Sequence, residues 1–212
     1  VVRVAIKLVM MDHGGVVVDS SEDVYLAMWE LMTDHFLGRR PPSFLDFLQF
    51  FRPPGDEWFA RYGFDFPADK IAETLRCAPE KSPMFPTVPS LLARIHELKL
   101  PIVVISAGDQ SRIEKQLGVG QVLHFFEFVV GESEDKAREI DSLCSVFSIN
   151  PVEAVYIGDM PSDMESGREA GVTAIGFTDD RPVMEKALIK AGAQHCVKDH
   201  HELGELLAQL AS

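Results

Sequence analysis

Positive charge is what this 212-residue chain has least of: 20 Lys and Arg stand against 33 Asp and Glu, for a formal net charge of −13. No Lys/Arg-rich run occurs, so the cationic footprint that a nucleic-acid backbone demands is missing and no nucleic-acid partner is expected. Cysteine is scarce as well. Cys77, Cys144 and Cys196 are odd in number and far apart, which argues against a disulfide framework and for a reducing, cytoplasmic setting. Long apolar runs are absent too: nothing approaches about 18 uninterrupted apolar residues, so no membrane span is expected. The apolar N-terminus runs directly into Asp12-His13-Gly14-Gly15 without a small-residue cleavage pattern, and reads as a buried strand rather than a signal core. No internal repeat or low-complexity tract is evident, and nothing in the sequence sets the oligomeric state.

What is present is ordinary for a globular protein, with 46% hydrophobic and 25% charged residues. The length suits one large domain carrying a modest insertion. Three apolar runs end abruptly on small polar or acidic residues: Val9-Met10-Met11-Asp12, Val103-Val104-Ile105-Ser106 and Val155-Tyr156-Ile157-Gly158-Asp159. In an open parallel α/β sheet such ends gather along the carboxyl edge, where ligands bind. Two carboxylates and a hydroxyl meeting there would make a site for a hard cation and a phosphate.

Between residues 18 and 82 the character changes. Aromatics are dense, Pro41-Pro42 and Pro53-Pro54 punctuate the segment, and no β-type run occurs. Val24, Leu26-Ala27, Leu31 and Phe36 keep roughly helical spacing, and Ser20 or Ser21 followed by acids reads as a helix N-terminus. The segment is expected to be a small helical insert, closed by the Pro-rich stretch 83–89. Beyond it helices and strands alternate. Helices are expected at 90–99, 110–117 with Gly118 as stop, 136–147, 163–170, 182–191 and 202–210, and strands at 102–106, 126–130, 155–158, 173–177 and 195–197. With a first strand at 4–11, this alternation predicts right-handed crossovers and an α/β, doubly wound, mostly parallel sheet.

At this point the chain resembles the haloacid dehalogenase-like hydrolase superfamily, in the branch with a helical cap inserted after the first strand and similar to phosphoglycolate phosphatases. Asp12 through Ser20 matches the first motif, usually Asp-x-Asp-Gly-Thr with Asp-Ser further on. Ser106 closes a strand as the second motif requires, and Lys136 lies where the third motif's lysine belongs. Gly158-Asp159-Met160-Pro161-Ser162-Asp163 matches the fourth. The resemblance implies a Rossmann-like core over 1–17 and 83–212 with a cap over 18–82, a small phosphorylated metabolite as substrate, and Mg²⁺ as cofactor. It implies Asp12 as nucleophile and metal ligand, with Asp159 and the Gly14 carbonyl also on the metal and Asp163 a ligand or a neighbour of one. It places Ser106, Ala107, Gly108 and Lys136 around the transferring phosphoryl group.

The chemistry accounts for these residue types. A carboxylate can attack phosphorus in line to give an aspartyl-phosphate, splitting one hard step into two. An anion attacking a phosphate dianion needs charge screening, which Mg²⁺ and a lysine supply.

One residue departs from the pattern. The aspartate two places after the nucleophile, which protonates the leaving oxygen, is here Gly14, and the usual Thr is Val16. Loss of a general acid is worth roughly 10²–10⁴-fold, so weak activity is expected, least impaired with good leaving groups. A catalytically silent protein that binds Mg²⁺ and a phosphometabolite is the alternative. Another is phosphonoacetaldehyde hydrolase-like C–P cleavage, which also carries a small residue at that position and needs a cap lysine; Lys70 and Lys81 are the only two.

Simpler readings stand beside these. His13 is adjacent to the nucleophile, but strand alternation points it off the face carrying Asp12. Ser106 also suits a helix cap, Lys136 a solvated helix start, Asp163 a first-turn acid favoured by the dipole, and Asp109 a turn. Arg39, Arg40, Arg52 and Arg61 could reach a substrate from the insert or simply be surface residues. The insert's aromatics read as its own small core. His200-His201 reads as a solvated helix start, since no third ligand lies at metal-site spacing.

Overall fold

The computed structural model describes residues 4–33, 40, 42–52, 55–78 and 82–212. Phe36, Arg39, Pro41, Pro53-Pro54 and Lys81 lie outside the described residues. Six parallel strands form one sheet in the order β3-β2-β1-β4-β5-β6. They are β1 (Leu8–Asp12), β2 (Ile102–Ile105), β3 (Phe128–Val130), β4 (Ala154–Gly158), β5 (Thr173–Phe177) and β6 (His195–Val197). Strand order reverses between β1 and β4, so the crevice beyond their carboxyl ends is where this topology binds ligands. Asp12 closes β1 and Asp159 follows β4 directly. The motif-bearing ends therefore flank the switch point.

β1 is buried at all five positions because both faces of the sheet are covered. Val9 and Met11 face a core with Leu92 and Ile95 of α5 (Val88–Glu97), Ile113 and Leu117 of α6 (Gln110–Val119) and Leu203 and Leu207 of α10 (His200–Leu210). Leu8 and Met10 face the other way, onto Ile140, Leu143 and Cys144 of α7 (Lys136–Val146). The crossovers are completed by α8 (Pro161–Glu169) and α9 (Pro182–Ala191), both with Pro in the first turn, where its missing N–H costs nothing. Asp109, Asp135 and Asp199 cap α6, α7 and α10 by accepting backbone N–H bonds. Helix α6 runs through Gly118, the expected stop, to Val119; Gly118 is not among the glycines with positive φ, so it makes no left-handed helix end.

Between β1 and α5 lie α1 (Ser21–Thr33), α2 (Phe44–Phe50), α3 (Asp56–Arg61) and α4 (Ala68–Cys77). Their aromatics bury one another: Phe47 meets Trp58 edge-on at 5.8 Å and Trp58 meets Phe59 at 5.2 Å, contacts worth about 0.5–1.5 kcal/mol each beyond burial. That cluster is not sealed off, since it continues into Met164 of α8 and Met184 and Leu188 of α9. The chain enters and leaves these helices side by side. Val18 and Met84 form an antiparallel bridge, the Asp19 N–H donates to the Pro83 carbonyl (2.9 Å) and the Phe85 N–H to the Val17 carbonyl (3.1 Å).

His200 corrects the sequence expectation, because it is 4% exposed rather than solvated. Its ring stacks on Phe177 (4.7 Å between centroids) and stands edge-on to Phe85 (5.4 Å). Nε2 lies 2.8 Å from the Val16 carbonyl, which can only accept, so Nε2 carries the proton and the Thr87 hydroxyl donates to Nδ1 at 2.6 Å. One imidazole thus ties the outgoing and returning connections to the core. Burial lowers its pKa and keeps it neutral. His201 beside it is exposed.

Candidate active site

At the switch point a small cavity of about 110 Å³ is floored by Asp12, Ser106, Lys136, Asp159 and Asp163. The carboxylates of Asp12, Asp159 and Asp163 each offer an oxygen within 4.8 Å of the others. Residues from β1, β4 and the first turn of α8 therefore meet, as the sequence requires. Lys136, the first residue of α7, sits between them: its Nζ lies 2.9 Å from Asp12 Oδ2 and 2.7 Å from Asp163 Oδ1. The side chains of Lys136 and Asp12 are 15% and 12% exposed, Asp163 only 1%, and Asp159 is buried as well.

Each carboxylate is oriented by a named donor. Asp12 Oδ1 accepts the His13 N–H at 2.8 Å. Asp159 Oδ2 accepts the Ser21 hydroxyl at 3.1 Å. Asp163 accepts most: Lys136, the Tyr156 hydroxyl at 3.2 Å and the Met160 N–H at 3.0 Å. Gly15 makes the Asp159 approach possible. Its φ is +70°, and a Cβ there would overlap the Asp159 carboxylate, so only glycine fits.

Three acids against one lysine leave the floor short of positive charge, and the titration shifts express it. Burial, followed by the Asp163 and Asp12 charges, pushes Asp159 up to about 8. Burial also raises Asp12, to about 6, against the pull of Lys136. Burial alone would lower Lys136, but Asp12 and Asp163 hold it well above its ordinary value. The donor set is all oxygen, buried and undercompensated, which fits a hard divalent cation.

Ser106 is 8% exposed and its Oγ accepts the Gly108 N–H at 3.1 Å; the cap of α6 is Asp109, so Ser106 is left to face the cavity. Ala107 and Gly108 line it as well, and Gly14 lies on its rim. The space where a Gly14 side chain would begin is met by Ser20, whose Oγ stands 2.8 Å from that Cβ position. Beside Asp12, the His13 imidazole is 2% exposed with Nε2 unpartnered, and burial lowers it to about 4. It is neutral near pH 7.

The segment between β1 and α5 contributes Ser20, Ser21, Val24, Phe47, Phe51, Leu75 and Arg76 to the cavity wall. Two of the expected core aromatics therefore also face the cavity. The arginines singled out in the sequence lie elsewhere. Arg52 pairs with Glu165 at 3.1 Å, Arg61 stands over the Phe50 ring at 4.4 Å, and Arg40 is exposed. Lys70 stands 5.7 Å over the Phe66 ring and is not among the cavity residues, so it offers no amine to a substrate there. Sequence reasoning missed Ser20, Ser21, Arg76 and Arg112. Ser20 had a signal, because its Asp-Ser pairing belongs to the first motif; the two arginines had none.

Comparison with known proteins agrees with this arrangement. A phosphoglycolate phosphatase of Pseudomonas putida is 22% identical over 191 residues, covering 81% of this chain and 69% of that protein. A haloacid dehalogenase-like hydrolase structure from Streptococcus pneumoniae superposes with a TM-score of 0.74 at 22% identity, covering 95% of this chain and 98% of that one. A hydrolase of the same family from Deinococcus radiodurans, with bound phosphate and sodium, gives 0.71 at 19% identity over 97% of this chain and 96% of that one. The family model of the haloacid dehalogenase-like hydrolases matches residues 9–177, most of the length and the carboxyl ends of β1 to β5, and the chain belongs to that family.

Proposed function

We propose that the chain is a Mg²⁺-dependent phosphohydrolase of a small phosphorylated metabolite, with Asp12 as nucleophile. The observation that carries this is the meeting of Asp12, Asp159 and Asp163 around a single lysine at the switch point of the sheet. The phosphatase relative from Pseudomonas putida supports the same reaction class.

Asp12, Asp159 and the Gly14 carbonyl would hold Mg²⁺, with Asp163 beside them. The chemistry it supplies when bound is neutralisation of charge between nucleophile and phosphate. Asp163 already accepts three hydrogen bonds, so its main task is to hold Lys136. Lys136 offsets the charge shared by Asp12 and the phosphoryl oxygens, and the Ser106 hydroxyl with the Ala107 amide receives those oxygens, the Gly108 N–H being donated to Ser106 Oγ. Attack by Asp12 forms one P–O bond and breaks the bond to the leaving oxygen, which then needs a proton. Gly14 has none to give, and His13 is neutral with a pKa near 4. Leaving groups that depart as stable anions are therefore favoured. Residues 18–82 act as the cap, limiting water above the cavity.

The test is p-nitrophenyl phosphate hydrolysis with Mg²⁺. Turnover should be slow, lost on chelation and lost in Asp12→Asn by at least 10³-fold. Turnover that survives Asp12→Asn refutes the role of Asp12. Mg²⁺ binding without any turnover supports the silent alternative that Gly14 favours.

A further inference from the structure

Beside the cavity lies a larger groove of about 610 Å³, and the two join at Leu75, Arg76 and Ala107. One bank is a face of α4, where Asp69, Ala72 and Arg76 follow one another at helical spacing. The other is the loop after β3, Glu132-Ser133-Glu134. Backbone hydrogen bonds fix that loop along the turn assigned to the phosphate. The Ser106 N–H donates to the Val130 carbonyl (2.8 Å), the Ser133 N–H to the Ser106 carbonyl (3.0 Å) and the Glu132 N–H to the Gly108 carbonyl (2.7 Å). A Cβ at Gly131 would overlap the Gln110 backbone, so the loop also lies hard against the start of α6. A ligand held by its phosphate at Ser106 and Ala107 therefore has this groove as its next space outward.

The groove offers acceptors and negative charge. Glu132 and Glu134 are exposed, and their carboxylates make no hydrogen bond or ion pair among the described residues. Ser133 between them is only 7% exposed and lines the groove, yet its Oγ has no partner. Arg76, the one cation of the groove, already donates from Nη2 to Glu73 at 2.7 Å. Asp69, Glu132 and Glu134 do not converge as Asp12, Asp159 and Asp163 do, the only such trio among the described residues, so they form no cage for a metal ion. A primary ammonium needs less: it has three N–H donors and no acceptor, and Ser133 Oγ with a neighbouring carboxylate can receive them. Its carbon chain would lie on Ala72, Leu75 and Ala107. A neutral or anionic tail would instead meet three carboxylates. We propose that the groove is a subsite for an organic ammonium, so that the substrate is a phosphorylated amino alcohol. This rests on the phosphohydrolase assignment for the floor of the cavity, and extends it to the other end of the substrate. An ammonium near the leaving oxygen also withdraws electrons from it, which suits a site where Gly14 supplies no proton.

Calorimetry with stable phosphonates in the presence of Mg²⁺ tests this without turnover. Wild type should bind 3-aminopropylphosphonate at least tenfold more tightly than butylphosphonate, in which a methyl replaces the ammonium. Glu132→Gln combined with Glu134→Gln should cut that ratio to threefold or less. Comparing ratios between proteins also removes any effect of the ammonium on the phosphonate's own charge. Should the double variant fail to fold, Asp69→Asn on the opposite bank, expected to lower the ratio at least twofold, still decides. Equal binding of the two ligands by wild type overturns the subsite, and so does a ratio unchanged in the variants. A second Mg²⁺ per chain that disappears in the double variant would place an inorganic cation in the groove and overturn the ammonium. Hydrolysis of p-nitrophenyl phosphate together with equal phosphonate binding overturns the subsite alone. If neither phosphonate binds and nothing is hydrolysed, the phosphohydrolase assignment falls and the subsite with it.

Discussion

Gly14→Asp should speed the hydrolysis of alkyl phosphates on the proposed reaction, by an amount that general acid catalysis sets. A general acid at this position is worth roughly 10²–10⁴-fold, about 3–5 kcal/mol of barrier. Gly14 is not among the residues with positive φ, so aspartate is allowed by the backbone. The obstacle is Ser20, whose Oγ lies 2.8 Å from the new Cβ. Turning that hydroxyl off its preferred rotamer costs about 0.5–1.5 kcal/mol. That strain is equal in the ground and transition states and falls on folding stability, so the gain on an alkyl phosphate stays at roughly 10²- to 10⁴-fold, and Gly14→Asp with Ser20→Ala should regain about 0.5–1.5 kcal/mol of stability at the same rate. The added carboxyl stands near Asp12, whose negative charge raises its pKa and keeps part of it protonated, as an acid must be. The assay is steady-state hydrolysis of ethyl phosphate and p-nitrophenyl phosphate with saturating Mg²⁺, comparing wild type, Gly14→Asp and the double variant. The gain should be large for the alkyl ester and small for the aryl ester. If a folded, metal-binding Gly14→Asp changes both substrates equally, or wild type already hydrolyses both at similar rates, the missing acid is not what limits this protein.

Lys136→Gln removes the cation between Asp12 and Asp163, so the acid limb of the kcat/KM profile should move up by about 1–3 pH units; an unmoved limb would show that Lys136 does not tune the nucleophile. In the metal-free protein Asp12 and Asp159 hold protons up to about 6 and about 8, which the unfolded chain releases near 3.8. Their contribution to stability is therefore full below that value and lost as pH rises through the folded ones. The rise in Tm on adding Mg²⁺ should accordingly be larger at pH 8.5 than at pH 5.5, and nearly absent in Asp159→Asn; a pH-independent rise contradicts the ligand assignment. His200→Phe keeps the stack on Phe177 but strands the Val16 carbonyl and the Thr87 hydroxyl, at a cost of about 1–3 kcal/mol by urea unfolding at pH 7.5. Because His200 is held neutral in the fold, wild type loses stability as pH falls below about 6.5, so the cost should shrink at pH 5.0.

The parts of the site that could be read from the sequence are those where the backbone does the placing. β5 and α9 begin and end where periodicity puts them, at Thr173–Phe177 and Pro182–Ala191. Asp12, Ser106 and Asp159 follow strand ends, and a parallel sheet delivers strand ends to one edge. What stayed hidden depends on how separate pieces dock. His200 finds its partners 113 and 184 residues away along the chain, where no local pattern reaches. Arg76 and Arg112 sit on helices whose orientation about their axes is fixed only by packing; in sequence they look like surface arginines. Ser20 lies six residues beyond Gly14, and they meet only because the Gly15 N–H closes a turn on the Val18 carbonyl at 2.8 Å.

Charge explains where Lys136 stands. A net charge of −13 repels a phosphorylated substrate at a distance, but at physiological ionic strength that field fades within about 8 Å. Inside the cavity the balance is local. Asp12, Asp159 and Asp163 with Lys136 sum to −2 when ionised, which a divalent cation cancels. A phosphate dianion arriving on that neutral floor then has Ser106 and the Ala107 amide as its dipolar partners. Any further negative charge on the ligand would need a cationic partner of its own, because burying it unpaired costs enough to drive it out. The same arithmetic bears on Gly14: an aspartate there would add a fourth acid to a floor whose buried carboxylates already hold protons above their usual range. On the proposed reaction, glycine at position 14 therefore both spares the floor a fourth buried acid and withholds a proton donor from the departing oxygen.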